Sequence, residues 1–260
     1  EIMPSLVGSE MCIRDRYKIS PYCPRCQTVL SSHEVAQGYK KVKEPAIFIK
    51  FPIVNFPFPN SYFLVWTTTP WTLPANMAIA LNKNFNYALA KKGNQHFILL
   101  KEKVKEVLGN DWQIIKTIKG KNLLGLKYQP IFKNKNFDFF KTINGDFVSR
   151  EEGTGLVHIA PAFGEDDMTV MKKIFKTKLE FPLTVDENGL MKTPGFKWNN
   201  LFVKEADPLI IDYLKKKKIL FKEESYEHDY PFCWRCATPL LYYPKESWFI
   251  KMSVLRKELL

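Results

Sequence analysis

Two cysteine pairs, Cys23-Pro24-Arg25-Cys26 and Cys233-Trp234-Arg235-Cys236, constrain the fold of this chain more than any other feature. Two residues between cysteines let both thiolates reach one tetrahedral metal from a single tight turn. Two such knuckles complete a four-cysteine zinc site with no open position, the structural rather than the catalytic type. One pair alone would read equally well as a redox dithiol. Both knuckles run on into similar tails, Gln27-Thr28 and Ala237-Thr238-Pro239, which favours a zinc ribbon. Disulfides are the competing reading, and a cytosolic setting weighs against them. The inner cysteines stand 233 − 26 = 207 positions apart. If they share one ion, the intervening chain leaves and returns at one place, as a domain inserted on a stem does.

Between the knuckles the pattern is mixed α and β with strands dominating. Short apolar runs, several of them alternating, predict strands over Ile47–Phe51, Tyr62–Trp66, Met77–Leu81, Tyr87–Ala90, Phe97–Leu100 and Gln113–Ile118, with turn-formers between them. A second strand cluster is expected at Asp146-Phe147-Val148 and Leu156–Ala160. Met168, Met171, Ile174 and Phe175 share a helical face, and a second helix is expected to start at Asp207-Pro208 and run through Leu214. Many short strands with a few covering helices predict an α+β, barrel-like core.

Two stretches carry chemistry. Thr67-Thr68-Thr69-Pro70-Trp71-Thr72-Leu73-Pro74-Ala75-Asn76 follows directly on an expected strand. Its prolines exclude a regular helix and remove two backbone donors. What remains is a stiff loop of clustered hydroxyls, suited to a polar ligand such as a ribose or an ester. A threonine-rich turn that satisfies its own backbone is the plainer reading. The other stretch, Gly153-Thr154-Gly155-Leu156-Val157-His158-Ile159-Ala160-Pro161-Ala162-Phe163-Gly164-Glu165-Asp166-Asp167, is a glycine-bounded strand, a turn, and acidic residues opening a helix. A carboxylate in a helix's first turn is kept ionised by the dipole and can receive an ammonium group. Both Asp166 and Asp167 are able to do so, and one of them is expected to cap the helix instead. His158 by itself reads as a core histidine. The glycine spacing does not match a nucleotide-binding loop.

The chain carries 39 Lys and Arg against 27 Asp and Glu, a net charge of +12. Such a surface attracts nucleic-acid phosphates. Only six of those cations are arginines, so a lysine-favouring composition explains the skew as well as an RNA-binding face does. Lys215–Lys218 follows an apolar patch and is expected to be the solvated end of a helix. No apolar run reaches the ~18 residues of a membrane span. No secretory signal is evident, so a cytoplasmic protein is expected. Residues 1–16, including Cys12, lack a periodic pattern and resemble translated adapter sequence. They are treated as a non-native, disordered or linking segment.

Taken in order, the first knuckle, the threonine segment, the Gly-Thr-Gly to Asp-Asp stretch and the second knuckle resemble the connective, editing insertion of isoleucyl-tRNA synthetases. Trp71, Thr72, Pro74 and Asn76 distinguish the threonine segment from that of the related valyl and leucyl enzymes. The resemblance runs from about Tyr17 to Leu260, with Glu246-Ser247-Trp248-Phe249-Ile250 similar to the return into the synthetic core. It implies a strand-rich editing domain over 46–224 on a zinc-ribbon stem made of 17–45 and 225–250, with 251–260 starting the return.

The resemblance also implies hydrolysis of valine wrongly esterified to isoleucine tRNA. Asp167, Thr68, Thr69 and Thr72 would carry catalysis, Asp167 holding the α-ammonium. His158, Asn76, Trp71 and Thr67 would bind the substrate, with His158 limiting side-chain size. Cys23, Cys26, Cys233 and Cys236 would hold a structural Zn²⁺. No Ser-His-Asp or Cys-His pair is evident, which agrees with catalysis by positioning. The partners implied are the tRNA 3′ end and a synthetic core, with the protein a monomer. No His-x-Gly-His motif is present, and Lys251-Met252-Ser253 is broken at Val254 and Leu255. ATP and Mg²⁺ are therefore expected only in a core outside this chain. A non-catalytic zinc-ribbon RNA-binding module and a structural insertion without hydrolysis are the rival readings.

Overall fold

The computed structural model describes residues 12–133, 137–175 and 179–250. The Lys251–Leu255 stretch and the first eleven residues lie outside the described residues. In chain order the strands are β1 (Cys12–Cys23), β2 (Thr28–Val29), β3 (Tyr39–Pro52), β4 (Ser61–Thr67), β5 (Ala78–Leu81), β6 (Asn86–Lys92), β7 (Gln95–Leu100), β8 (Gln113–Lys119), β9 (Lys141–Asn144), β10 (Leu156–Ile159), β11 (Leu220–Pro231) and β12 (Leu241–Ile250). The helices are α1 (Ser32–Ala36), α2 (Val104–Leu108), α3 (Glu165–Ile174) and α4 (Val203–Lys216). The strands form a six-stranded sheet ordered β11-β3-β4-β7-β6-β8 and two three-stranded sheets, β10-β5-β9 and β12-β1-β2.

The period-two pattern of the large sheet explains its place. Successive strand side chains point to opposite faces. Ile47, Ile49, Phe51, Phe63, Val65, Leu89, Ile98 and Leu100 enter the main core shared with β5, β10 and α4. Their neighbours Phe48, Leu64, Ala88, Phe97 and Leu99 form a second core covered by Val104 and Val107 of α2. A sheet buried on both faces needs apolar residues at nearly every position, which is why these runs are easily found in the sequence. The small sheet packs Ala78, Ala80, Ile143 and Ile159 against Met171 of α3. Met168 is buried beside it, whereas Ile174, expected on the same face, is exposed at the helix end.

The structure departs from the sequence expectations at five places. The strand expected at Asp146-Phe147-Val148 lies instead at Lys141–Asn144. Residues 145–148 turn away, with the Val148 N–H donating to the Gly145 carbonyl and the Asn144 amide donating to the Asp146 carboxylate. Asp207-Pro208 does not start a helix: α4 begins four residues earlier, and Pro208 lies inside it. The missing N–H of Pro208 is offset by burial of Val203, Ala206, Ile210, Ile211 and Leu214 along one face. The proline-bearing loop winds into a 3₁₀ turn, Pro70–Ala75, with Pro70 at its start, where a backbone donor has no partner to lose. Finally, β3 and β11 pair from Ile49↔Leu220 to Tyr39↔Pro231, with one register shift between Leu220 and Lys222, so one ladder runs from the main sheet to the cysteine knuckles. The strand β1 likewise begins at Cys12, inside the segment set aside from the sequence, and pairs with β12.

Candidate active site

Two turns bring the four cysteines of the knuckles together. Cys23 ends β1 and Cys26 follows in the turn to β2, while Cys233–Cys236 lies between β11 and β12. The residue after each second cysteine, Gln27 (φ 52°) and Ala237 (φ 58°), adopts the left-handed conformation that lets the tail fold back. The matching tails seen in the sequence thus have matching backbone geometry. All four sulfurs lie within 4.8 Å of one another. Cys236 Sγ is 3.4 Å from Cys23 Sγ and 3.5 Å from Cys26 Sγ, and the Cys26 N–H donates to Cys23 Sγ at 3.4 Å. A tetrahedron with ~2.3 Å zinc–sulfur bonds has edges of about 3.8 Å, between the shortest of these separations and the 4.8 Å limit of the set, so the four donors suit one zinc ion after shifts of up to about an ångström. The four thiols are free, which sets aside the disulfide reading. Burial pushes the Cys23 thiol up to about 12. Burial also acts upward on Cys236, but hydrogen bonds with Thr238 and with Cys23 and Cys26 bring it down to about 6. A bound dication would ionise all four.

The threonine segment begins where β4 ends. Thr67 Oγ1 lies 3.2 Å from Thr69 Oγ1 and accepts the Thr69 N–H at 3.1 Å. Thr69 Oγ1 lies 3.2 Å from Thr72 Oγ1, which donates to the Thr69 carbonyl at 2.8 Å. The chain of hydroxyls ends on His158, whose Nε2 is 2.9 Å from Thr72 Oγ1. Part of the hydroxyl set therefore satisfies the turn itself, as the plainer reading held. Thr68 is half-buried and makes no side-chain hydrogen bond among the described residues. Asn76 closes the segment, donating to the Ala78 carbonyl at 2.9 Å.

His158 sits on β10 opposite Ile79 of β5, and the Met77 N–H donates to the Ile159 carbonyl, so the end of the turn and the end of β10 meet. Burial lowers the His158 pKa to about 4, so the ring is neutral at pH 7. Its Nδ1 is buried without a hydrogen-bond partner. Only one of its two nitrogens is satisfied, which distinguishes it from an ordinary core histidine.

Asp167 follows through the turn after β10. Its Oδ2 accepts the Ala160 N–H at 2.7 Å, two residues beyond His158. The helix cap is Gly164, with no side-chain cap bond, so neither Asp166 nor Asp167 serves as the expected cap. Burial pushes the Asp167 carboxyl up to about 6, against the pull of the Ala160 N–H, with the Asp166 charge adding to the rise. It is still mainly ionised at neutral pH, though less completely than the helix dipole alone suggests. Trp71 ties the two stretches together, its ring meeting Phe163 edge-on at 5.0 Å between centroids. Two residues to which the sequence assigned no role in the site join it. The Asp207 carboxylate accepts the Trp71 N–H at 2.9 Å, and the Tyr128 hydroxyl donates to Asn76 Oδ1 at 2.7 Å. Asp207 preceding Pro208 resembled a helix start, and Tyr128 lies in a segment without any motif.

The fold defines the class. The cytosolic leucyl-tRNA synthetase editing domain of P. knowlesi covers 74% of this chain and aligns over 99% of its own length, with a TM-score of 0.57 at 12% identity. That of P. falciparum covers 71% of the chain and 100% of its own, with a TM-score of 0.55 at 13% identity. The architecture is that of aminoacyl-tRNA synthetase editing domains. Sequence narrows the class further: the chain belongs to the isoleucine–tRNA ligase family. It is 49% identical over 246 residues to the Clostridium tetani isoleucine–tRNA ligase and 46% identical over 260 residues to that of Picrophilus torridus. These matches take in 94% and 99% of the chain but only 23% and 25% of the relatives, so the chain spans about a quarter of their length. No protein-family model matches it.

Proposed function

We propose that this chain is the proofreading part of an isoleucine–tRNA ligase and hydrolyses the ester joining valine to the 3′ end of isoleucine tRNA. The observation that carries this reading is that the Thr67–Thr69–Thr72 hydroxyl series ends on His158 of β10, two residues before Ala160, whose N–H holds the Asp167 carboxylate, with Trp71 packed on Phe163. An ionised carboxylate binds an α-ammonium, and hydroxyls able to donate and accept orient an ester and a water. Water is the nucleophile, and the rate comes from holding it and the ester carbon in line.

Neutral His158 offers a rigid wall that valine clears and isoleucine meets. Such a second site is needed because one methylene in a synthetic pocket gives only ~10–200-fold discrimination, isoleucine against valine being the standing example. Thr68, with its hydroxyl uncommitted, and Asn76 face the ester and the terminal adenosine. The stem holds one structural zinc, and the partners are the tRNA 3′ end and a synthetic core supplied by the remainder of the polypeptide. The protein acts as a cytoplasmic monomer. Among the described residues no helix is long and apolar enough to cross a membrane.

The test is deacylation of valine-charged and isoleucine-charged tRNA by the longest polypeptide that carries this chain. Release of valine, but not isoleucine, that Asp167→Ala abolishes is the expected result. Binding of tRNA without release of valine would leave the RNA-binding module as the better reading.

A further inference from the structure

The threonine turn lacks the local cap that its geometry calls for. The first N–H groups of any helical turn have no partner within it. Thr69, at the capping position, makes no side-chain cap bond, because its hydroxyl is engaged with Thr67 and Thr72. Pro70 has no N–H, which leaves the Trp71 N–H as the donor needing a partner. That partner is Asp207, 136 residues away on α4, whose side chain is only 6% exposed. At the other end of the turn, Asn76 is engaged from outside as well. Its Oδ1 accepts from the hydroxyl of Tyr128, a residue 2% exposed and wedged edge-on against Phe51 and Phe140.

We propose that Asp207 and Tyr128 are positioning residues that clamp the two ends of the threonine turn, so that the Thr69 hydroxyl is released from capping and the Thr69–Thr72 hydroxyl series is held toward His158. The inference rests on the hydrolytic reading above. Its physical basis is that a hydroxyl used as a cap accepts from the backbone and points along the turn axis. With capping supplied remotely, the hydroxyls stay in one line across to β10. Both anchors come from elements of the main core, so the turn inherits the rigidity of that core rather than that of a surface loop. Burial pushes the Asp207 carboxyl up to about 7, with Lys204 and the Trp71 N–H acting against the rise and Glu44 adding to it. Asparagine at this position would keep the acceptor oxygen without the desolvated charge.

The experiment compares Tyr128→Phe, Asp207→Ala and Asp207→Asn with the unaltered polypeptide, by steady-state release of valine from charged tRNA, thermal unfolding, and hydrogen exchange at the Trp71 amide. Tyr128→Phe and Asp207→Ala are expected to lower kcat on the order of tenfold to a hundredfold, the cost of an ångström-scale misplacement, with KM changed by less than about twofold. Asp207→Asn is expected to restore kcat to within about threefold. Trp71 exchange should accelerate in Asp207→Ala and not in Asp207→Asn. Unchanged kcat in Tyr128→Phe and Asp207→Ala would overturn the proposal. So would losses that follow Tm in all three variants without rescue by asparagine. If Asp207→Ala does not fold, Tyr128→Phe decides, since its ring keeps its packing. If the unaltered polypeptide releases no valine, the hydrolytic reading fails, while Trp71 exchange still tells whether Asp207 holds the turn.

Discussion

The cysteine stem and the threonine turn solve the same problem, holding a few side chains in fixed geometry, in opposite ways. Around the cysteines the stem has only a small cluster of its own, Cys23, Leu30, Val35, Cys233 and Leu240, two of which are candidate ligands, while Tyr22, Leu241 and Tyr243 of β1 and β12 join the main core. The threonine turn rests on a core of more than thirty buried residues drawn from all three sheets and α4. A region that cannot bury enough apolar surface must be closed by stronger bonds, and metal–thiolate bonds serve that purpose. A region with a deep core can rely on ordinary hydrogen bonds, because the packing around them limits where each group can go. The stem's geometry is therefore written in ligand identity and spacing, and the turn's in tertiary contacts.

Removing zinc should break this comparison most visibly. Apparent metal-binding energies of ~10 kcal/mol or more for structural zinc imply that a chelator, or Cys23→Ser with Cys233→Ser, unfolds the ribbon while the β3–β7 core stays folded. Metal analysis and domain-resolved hydrogen exchange would check this. Zinc well below about one per chain in the unaltered protein, with the ribbon still protected, would remove the distinction between the regions. A weaker probe is Gly38→Ala. The added Cβ would land on the Phe232 carbonyl oxygen, where the Phe232 N–H already donates to the Gly38 carbonyl. Backbone would have to part, and we expect a loss of about 2–4 kcal/mol confined to the stem, read as faster exchange around Phe232 with protection of the turn unchanged.

Beside the turn, His158→Ala should widen the sieve. Isoleucine release should rise by about tenfold or more, in line with ~1–3 kcal/mol for a methylene-sized clash, while valine release falls less. Equal rejection of isoleucine by the variant would place the sieve elsewhere. The smallest effect is a pH profile. With the Asp167 carboxyl at about 6, valine release should be level at and above neutral pH and show an acid limb falling about tenfold per unit below about 6. His158, lowered to about 4, stays neutral through that window, and Asp207→Asn should leave the limb in place. The same shift has a stability sign. The native state holds the Asp167 proton more tightly than the unfolded chain, so this group favours the fold at low pH and its contribution is lost as pH rises through about 6. Asp167→Asn should therefore raise Tm at pH 7 while abolishing turnover, a separation that a purely structural aspartate would not show.

The two-faced burial of the large sheet makes β4, β6 and β7 legible in the sequence as apolar runs. The long ribbon strand β11 was not legible. Its sequence alternates half-buried Tyr226, His228 and Tyr230 with exposed Glu227 and Asp229, and most of its support comes from pairing with β3 rather than from its own apolarity. Asp207-Pro208 misled for a related reason: local propensity favours a helix start there, and tertiary burial along Val203–Leu214 carries the helix across the proline.

What the sequence by itself determined is whatever depends on residue type and short spacing. That covers the two knuckles, the clustered hydroxyls, the acidic opening of α3 and the strand-rich class. These are properties of a few adjacent residues, so one line of text contains them. Only the tertiary structure decided that Thr72 meets His158, that the Asp167 carboxyl is pushed up to about 6 by burial, and that Asp207 and Tyr128 hold the two ends of the turn. Each of those facts depends on groups tens to more than a hundred positions apart, brought together by a core whose packing no local pattern specifies.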